Sequence, residues 1–515
     1  MRPEFNIAGP CNPTEHYMLP PERRLGEIME LIQRRKFFSL SGGWQIGKTT
    51  SAKWLQDHLN ASGQWRALWV DLETAREQPD SAKAFRTIIN KLLEVCARVH
   101  PDVSRPDVET LLKDPYRSLS KALAHLASHN DRPWVIFFDE ADCLVGETMV
   151  SFLTQLREGY LDRSACPFPA SIVLVGRRQV RDFMLRTEDR HAITWLGTSS
   201  PFNVNAEAMT LSMFTAADVE ELLLQHTAKT GQRFEPDAIA LICELGQGHP
   251  WLTNALADQI VRKDLKDRSL PVTAAHVEAA KETIILERRS HIDSLIARLR
   301  EDRVRRILDP MLAGLRPEGD MLDDDLAYVV GLGLVRKIRG MIEIANPIYR
   351  EVLPRALTYA QQVTIPNQPS RYVRKDGSLD MGKLMTDWQK FWRQDGHLAA
   401  EGFGYRESGP HLMLMAFLQR IINGGGRIER EYGLGRGAMD LLIEWQNERH
   451  AIEIKLRRGK RTEAEALEQV GEYLEHIGLS EGWLVLFDLR KIRWEKKLYQ
   501  REVEYQGKRI RIVGS

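Results

Sequence analysis

Gly42-Gly-Trp-Gln-Ile-Gly47-Lys48-Thr49 follows a short apolar run and precedes a helical pattern, the setting in which a glycine-rich loop wraps a phosphate. In such a loop the glycines let backbone N–H groups turn inward, a lysine reaches the β- and γ-phosphates, and the next hydroxyl ligates Mg²⁺. Lys48 and Thr49 are those two residues; Gly42, Gly43, Trp44, Gln45, Ile46, Gly47 and Thr50 complete the candidate nucleotide-binding set, with ATP as the expected ligand. Downstream, four apolar residues end in Asp139-Glu140, which places carboxylates at the end of a buried strand. Asp139 is expected to hold the Mg²⁺ and Glu140 to polarise the attacking water. An acid pair at a strand end can also simply cap the next helix, a reading that the upstream loop makes the weaker one.

The elements that must position these groups alternate. Phe37–Leu40, Ala67–Val70, Val135–Phe138, Ile172–Val175 and Ile193–Leu196 read as buried parallel strands separated by amphipathic helices, an α/β pattern. The candidate strand Arg66–Leu72 falls between the two motifs, as in the class of such loops that uses a glutamate base. After about Pro201 the apolar strands stop and helix signals take over: Thr215-Ala-Ala-Asp218 as a capping box, and Pro236 early in another helix. Residues from about Leu286 to Leu308 read as charged helix, followed by a helix and two short strands around Gly340, the pattern of a winged helix. A polar stretch with Pro366, Pro369 and Gly377 marks a linker. The expected domains are 1–200 (nucleotide-binding core), 201–285 (helical lid), 286–360 (winged helix), 361–386 (linker) and 387–515 (a second α/β unit).

A second set of reactive residues lies in that last unit. Met439-Asp440-Leu-Leu-Ile443 and Ala451-Ile-Glu453-Ile-Lys455-Leu456 read as two strands joined by the polar turn Trp445–Arg449. Alternation along a strand puts Glu453 and Lys455 on one face, and the hairpin can bring Asp440 beside them. Two carboxylates and a lysine suit a divalent metal, Mg²⁺ or Mn²⁺, held by Asp440 and Glu453, with Lys455 near the attacking water or the scissile phosphate. Glu407 is a candidate further carboxylate, and Gln469 a candidate ligand-orienting residue on the following helix.

Taken together, His16-Tyr-Met-Leu-Pro20, the phosphate-binding loop, Phe137-Phe-Asp-Glu140, Ser200-Pro-Phe-Asn203, Gly248-His-Pro-Trp251 and Ala345-Asn-Pro-Ile-Tyr-Arg350-Glu351 resemble the bacterial AAA-like ATPases related to the STAND NTPases, over about Phe5 to Leu357. Gly248-His-Pro250 resembles the GxP motif of signalling-type NTPases, which implies that Pro250 closes over the nucleotide. That family often carries a Pro-Arg-Gln loop where this chain reads Gly43-Trp44-Gln45, so a basic residue is missing there. Asp440…Glu453-x-Lys455, flanked by Phe417–Arg420, Asn423–Gly426, Arg430–Tyr432 and Gly435–Gly437, resembles the PD-(D/E)xK nuclease superfamily over about Asp387 to Phe487. The resemblances imply a P-loop NTPase parallel sheet with helical lid and winged helix, followed by a C-terminal mixed α/β restriction-endonuclease-like domain that cleaves DNA with a metal.

Composition bounds the rest. In 515 residues, Lys+Arg number 72 and Asp+Glu 71, a formal charge of +1, so any grip on nucleic acid must come from local basic patches. Candidates are Arg457–Arg461, Arg490–Lys497 and the arginines around Arg303 and Arg336; each reads equally as a solvated face, and the winged helix either binds DNA or packs between domains. Arg178, after the fourth strand, reads either as a phosphate sensor or as a surface arginine; Arg186 and Arg190 are finger candidates should copies of the chain self-associate through the ATPase domain. Five scattered cysteines without CxxC spacing argue against a disulfide framework or zinc cluster, and no apolar run approaches the ~20 residues of a membrane span. The chain therefore reads as cytoplasmic, without membrane partners, as a nucleotide-regulated nuclease answering an unknown trigger protein or ligand, in prokaryotic defence or mobile-element control by analogy of fold. The alternative is an ATP-driven signalling or DNA-binding switch whose nuclease fold only docks, and a third reading is a DNA translocase.

Overall fold

Runs that are apolar at every position fold where both faces are covered, and four of the expected strands do so. The structure, a computed structural model, describes residues 3–128, 131–177, 184–186, 193–195, 205–287, 289–299, 301–312, 323–338, 341–357, 369–396, 408–422, 426–429, 441–457, 462–490 and 492–515. It divides into two units, Met1–His291 with Val330–Leu334, and Ile292–Val329 with Val335–Ser515.

In the first unit, β1 (Phe37–Ser41), β2 (Arg66–Asp71), β3 (Trp134–Asp139) and β4 (Ser171–Val175) are parallel. Alternation sorts their side chains into two cores. Ile136 and Phe138 join Leu68, Val70, Ile172 and Leu174 under the helices Ser81–Val99, Pro115–Ser128 and Gly146–Asp162. Val135 and Phe137 join Ala67, Val173 and Val175 under Gly26–Gln33 and Lys48–Ala61 on the other face.

Two strand expectations need correction. Ile193–Leu196 does not enter this sheet: β5 (Met184–Arg186) and β6 (Ile193–Trp195) form an antiparallel ribbon of their own. The fifth sheet strand is β7 (Asn205–Thr210), beyond the point where strands were expected to stop, and it pairs in parallel with β1 alone. As an edge strand with Glu207, Ala208 and Thr210 exposed, it needs no apolar run, which is why hydrophobicity does not announce it. The order is β2-β3-β4-β1-β7, so the strand that separates the two motif-bearing strands in space is β4, not Arg66–Leu72, which lies outside β3.

Helices follow as expected. Thr215 and Asp218 close a capping box on Ala216–Thr230, Pro236 starts Pro236–Gly246, and Pro250 starts Pro250–Asp258. Gly248 precedes the last with φ +72°; a Cβ there would stand 2.0 Å from the Phe214 carbonyl oxygen, so the turn admits only glycine.

In the second unit, the helices Ser290–Arg298 (from Ile292 on), Asp302–Leu312 and Asp323–Gly331 (to Val329) lead to the antiparallel pair β8 (Val335–Ile338) and β9 (Met341–Ile344), then to Pro347–Leu357. A six-stranded mixed sheet follows: β10 (Gly426–Glu429), β11 (Leu441–Trp445), β12 (Glu448–Leu456), β13 (Glu481–Phe487), β14 (Tyr499–Tyr505) and β15 (Lys508–Gly514), ordered β10-β11-β12-β13-β15-β14. β12 and β13 are parallel and joined through the helix Thr462–His476, whose Ala466, Val470 and Leu474 bury against Leu484 and Ile512. Trp388, fully buried on Met381–Phe391, contacts the rings of Trp392, Phe391, Phe417 and Phe487 and donates through Nε1 to Ser515 Oγ at 3.1 Å. Trp388→Ala is expected to destabilise the fold by about 3–5 kcal/mol, the usual consequence of emptying an aromatic site. Urea unfolding checks this, and a change under about 1 kcal/mol contradicts the packing role.

Candidate active site

The loop after β1 and the acid pair after β3 meet at the carboxyl ends of the parallel strands. Gly47 has φ +95° and opens the helix Lys48–Ala61, so the loop can turn its backbone into the helix N-terminus. Lys48 is buried and its Nζ donates to the carbonyls of Gly42 and Gly43, at 2.9 and 2.8 Å. Burial lowers its pKa to about 8, against the opposing pull of Glu140, Asp142 and Asp139.

Asp139 is buried, accepts from Trp69 Nε1 at 3.0 Å and is hydrogen-bonded by Thr49, and burial raises its carboxyl above the ordinary range. A hydroxyl and a desolvated carboxylate in contact are the donor set that a Mg²⁺ ion needs, so these residues fit the expected metal. Glu140 follows in the left-handed region at φ +53°, a strained conformation for a non-glycine residue. Burial raises its carboxyl too. Its Oε2 faces Arg177 at 3.4 Å and Arg76 at 3.6 Å.

Arg177 is the residue that sequence reasoning missed. Arg178 lies outside the described residues, whereas its neighbour stacks its guanidinium 4.7 Å over the Trp44 ring while facing Glu140. Arg177 thus brings a cation to Trp44 of the phosphate-binding loop.

Lys48, Thr49, Glu140 and Arg177 line a cleft of about 260 Å³ with Trp44, Gln45, Gly47, Thr50, Pro250, Trp251, Asn254 and the segment Asn6–Cys11. Gly42, Gly43 and Ile46 do not line it: the first two hold Lys48 through their carbonyls, and Ile46 is buried in the core. The amino-terminal segment is held by backbone groups, the Cys11 N–H donating to Thr50 Oγ1 at 3.0 Å and Trp251 Nε1 to the Ile7 carbonyl at 2.9 Å. The only signal for it in the sequence is the turn Gly9-Pro10. Two buried histidines tie the helical region to the loop: His249 is hydrogen-bonded to the Trp44 backbone, and His291 Nδ1 lies 3.0 Å from Gln45 Oε1 while stacking on Trp251.

Because Lys48 in the free protein loses its proton near pH 8, well below an ordinary lysine, phosphate binding above that pH must take up a proton. Nucleotide affinity is therefore expected to be flat below about pH 8 and to fall by up to about tenfold per pH unit above it. Titration with a fluorescent ATP analogue between about pH 6.5 and 9.5 checks this, a flat profile being the contrary result.

In the second unit, β11 and β12 form the expected hairpin, pairing Leu441 with Ile452 through a turn in which Gln446 has φ +51°. Glu453 is buried, and Lys455 Nζ meets its Oε1 at 2.7 Å, so alternation does bring these two together. Asp440 and Glu407 lie outside the described residues; Gln469 is exposed on Thr462–His476. Among the described residues no group of three His, Cys, Asp or Glu side chains is placed to hold a metal ion. Of the finger candidates, Arg186 ends β5 and Arg190 lies outside the described residues. No helix is long and apolar enough to cross a membrane among the described residues.

Strand order, loop and acid pair define the first unit as a P-loop NTPase α/β fold. Solved structures similar to the chain include a Walker-type ATPase of Pyrococcus abyssi, at 16% identity and TM-score 0.49, covering 68% of this chain and 99% of that one. Cdc6p of Pyrobaculum aerophilum is similar at 14% identity and TM-score 0.38, over 67% and 95% of the two chains. The Holliday junction branch migration motor RuvB of Thermotoga maritima is similar at 14% identity and TM-score 0.34, over 65% and 93%. The sequence matches no protein-family model and no curated protein.

Proposed function

We propose that the chain is an AAA-like, STAND-related ATPase whose nucleotide state controls a metal-dependent PD-(D/E)xK nuclease acting on DNA. The observation that carries the ATPase half is a cleft lined by Lys48, Thr49 and Glu140, with buried Asp139 hydrogen-bonded to Thr49 beside it. In this reading Lys48 leaves the loop carbonyls for the β- and γ-phosphates, and Thr49 and Asp139 would hold Mg²⁺, which would supply charge screening at the phosphates. Glu140 then takes a proton from water, and Arg177, beside the candidate Arg178 in sequence, senses the γ-phosphate.

The nuclease half is supported by the Glu453–Lys455 pair on β12 and by the mixed sheet that holds it. Glu453, with Asp440, which immediately precedes β11 in sequence, would hold a Mg²⁺ or Mn²⁺ ion, which would supply a polarised water; Lys455 would orient that water or steady the phosphate. Glu407 and Gln469 are proposed as supporting residues. We place the core, lid, winged-helix, linker and nuclease domains at 1–200, 201–285, 286–360, 361–386 and 387–515, in a cytoplasmic protein that self-associates through its ATPase domain and answers a trigger.

The test incubates plasmid, linear duplex and single-stranded DNA with the protein, Mg²⁺ or Mn²⁺, and ATP or none, beside Lys48→Ala and Asp440→Ala variants. Cleavage absent from Asp440→Ala, and sensitive to ATP only when Lys48 is intact, is the expected result. ATP turnover without cleavage under any condition favours the docking-module switch instead.

A further inference from the structure

Parallel strands have two ends, and the nucleotide cleft uses only one. At the opposite end, the residues leading into β1, β3 and β4 stand side by side because β3-β4-β1 is the sheet order. Together they line a second cleft, of about 690 Å³. Each contributes an arginine: Arg35 two residues before β1, Arg132 two residues before β3, and Arg163 in the segment that leads from the helix Gly146–Asp162 into β4.

Several arginines elsewhere in this unit are paired with acids: Arg66 with Asp102 and Asp131, Arg86 with Glu109, Arg262 with Asp258. The second cleft differs. Among the described residues, its lining holds these three guanidiniums and no carboxylate. Arg163 donates to the Arg35 carbonyl at 3.2 Å and lies 4.0 Å over the Tyr160 ring, and neither contact cancels its charge. Arg132 meets Asp131 at 3.1 Å, but that carboxylate already accepts two hydrogen bonds from buried Arg66, both at 2.9 Å. Arg132 thus has only a share of one anion. Guanidiniums gathered in this way repel one another until a polyanion joins them, and their planar forks match phosphate oxygens two at a time. Phe168 on the same wall offers a ring for an unstacked base. The volume exceeds that of the nucleotide cleft more than twofold and is too large for one free phosphate.

We propose that this cleft binds the phosphate backbone of a nucleic-acid strand, on the face of the P-loop unit opposite the nucleotide. With a formal charge of +1 the chain can hold a polyanion only through local clusters, of which this cleft is one. The inference rests on the reading that the chain engages nucleic acid, and does not require that it cuts it.

The test uses the full chain carrying Glu453→Gln to block cleavage, with fluorescent single-stranded DNA of about 20 nucleotides and duplex of about 20 base pairs, by anisotropy between about 50 and 300 mM KCl. Adding Arg35→Gln, Arg132→Gln and Arg163→Gln together is expected to weaken binding by about tenfold or more at about 100 mM salt and to flatten the log–log salt slope by about 2 to 3. The corresponding triple lysine variant is expected to keep most of the slope, and ATP turnover in both to match the parent, which shows the fold intact. Unchanged affinity and slope in the glutamine variant overturn the inference while leaving DNA binding to other surfaces. Displacement of DNA from the parent by polyglutamate at equal charge concentration also overturns it, in favour of an acidic protein partner. A parent that binds no nucleic acid defeats the nuclease reading and this inference together.

Discussion

Glutamine in place of Glu140 is expected to lower ATP turnover by about 10²–10⁴-fold, the range that a positioned general base supplies, while leaving ATP affinity within a few-fold. The two effects separate because Lys48 and the loop grip the phosphates themselves and Glu140 only helps to hold the Lys48 charge, whereas proton removal from water requires the Glu140 carboxylate. Two features prepare that carboxyl to act as a base. Burial raises its proton affinity, and its left-handed backbone holds it beside Arg177. Steady-state phosphate release and nucleotide titration on the same preparation decide the matter. Full turnover in the variant would move the base elsewhere, and loss of affinity with turnover would make Glu140 a structural residue.

Glu453→Gln is expected to reduce metal-dependent DNA cleavage by about 10³-fold or more, since a metal-held reacting oxygen is worth several kcal/mol. The amide keeps the shape of a buried side chain, so the thermal midpoint should stay close to that of the parent, and ATP turnover should not change. Lys455→Ala is expected to give a comparable loss, because its ammonium shares the face of β12 with Glu453 at 2.7 Å. Cleavage retained in both variants, with products identical to those of the parent, would remove the active site from β12.

How much of this was legible depended on what each residue had to satisfy. β1 to β4 announced themselves because buried strands must be apolar on both faces, and β12 because alternation over Glu453, Ile454 and Lys455 survives in any half-buried strand. β7 stayed hidden because an edge strand packs on one side only. The segment Asn6–Cys11 was invisible as a wall of the cleft for a different reason: it is fastened by a backbone N–H and a backbone carbonyl, which every residue type but proline carries in full. Between Arg177 and Arg178 composition offers no choice at all. Only the path of the chain after Val175 brings the Arg177 guanidinium to Glu140 and Trp44.

The helix Ser290–Arg298 begins in the first unit and continues, from Ile292, in the second. His291, in its first turn, is the residue that meets Gln45 of the phosphate-binding loop. The first turn of that helix and the phosphate-binding loop are thus joined by a contact within the first unit. On the proposed function, whatever factor ATP applies to the affinity for DNA, DNA must apply to the affinity for ATP.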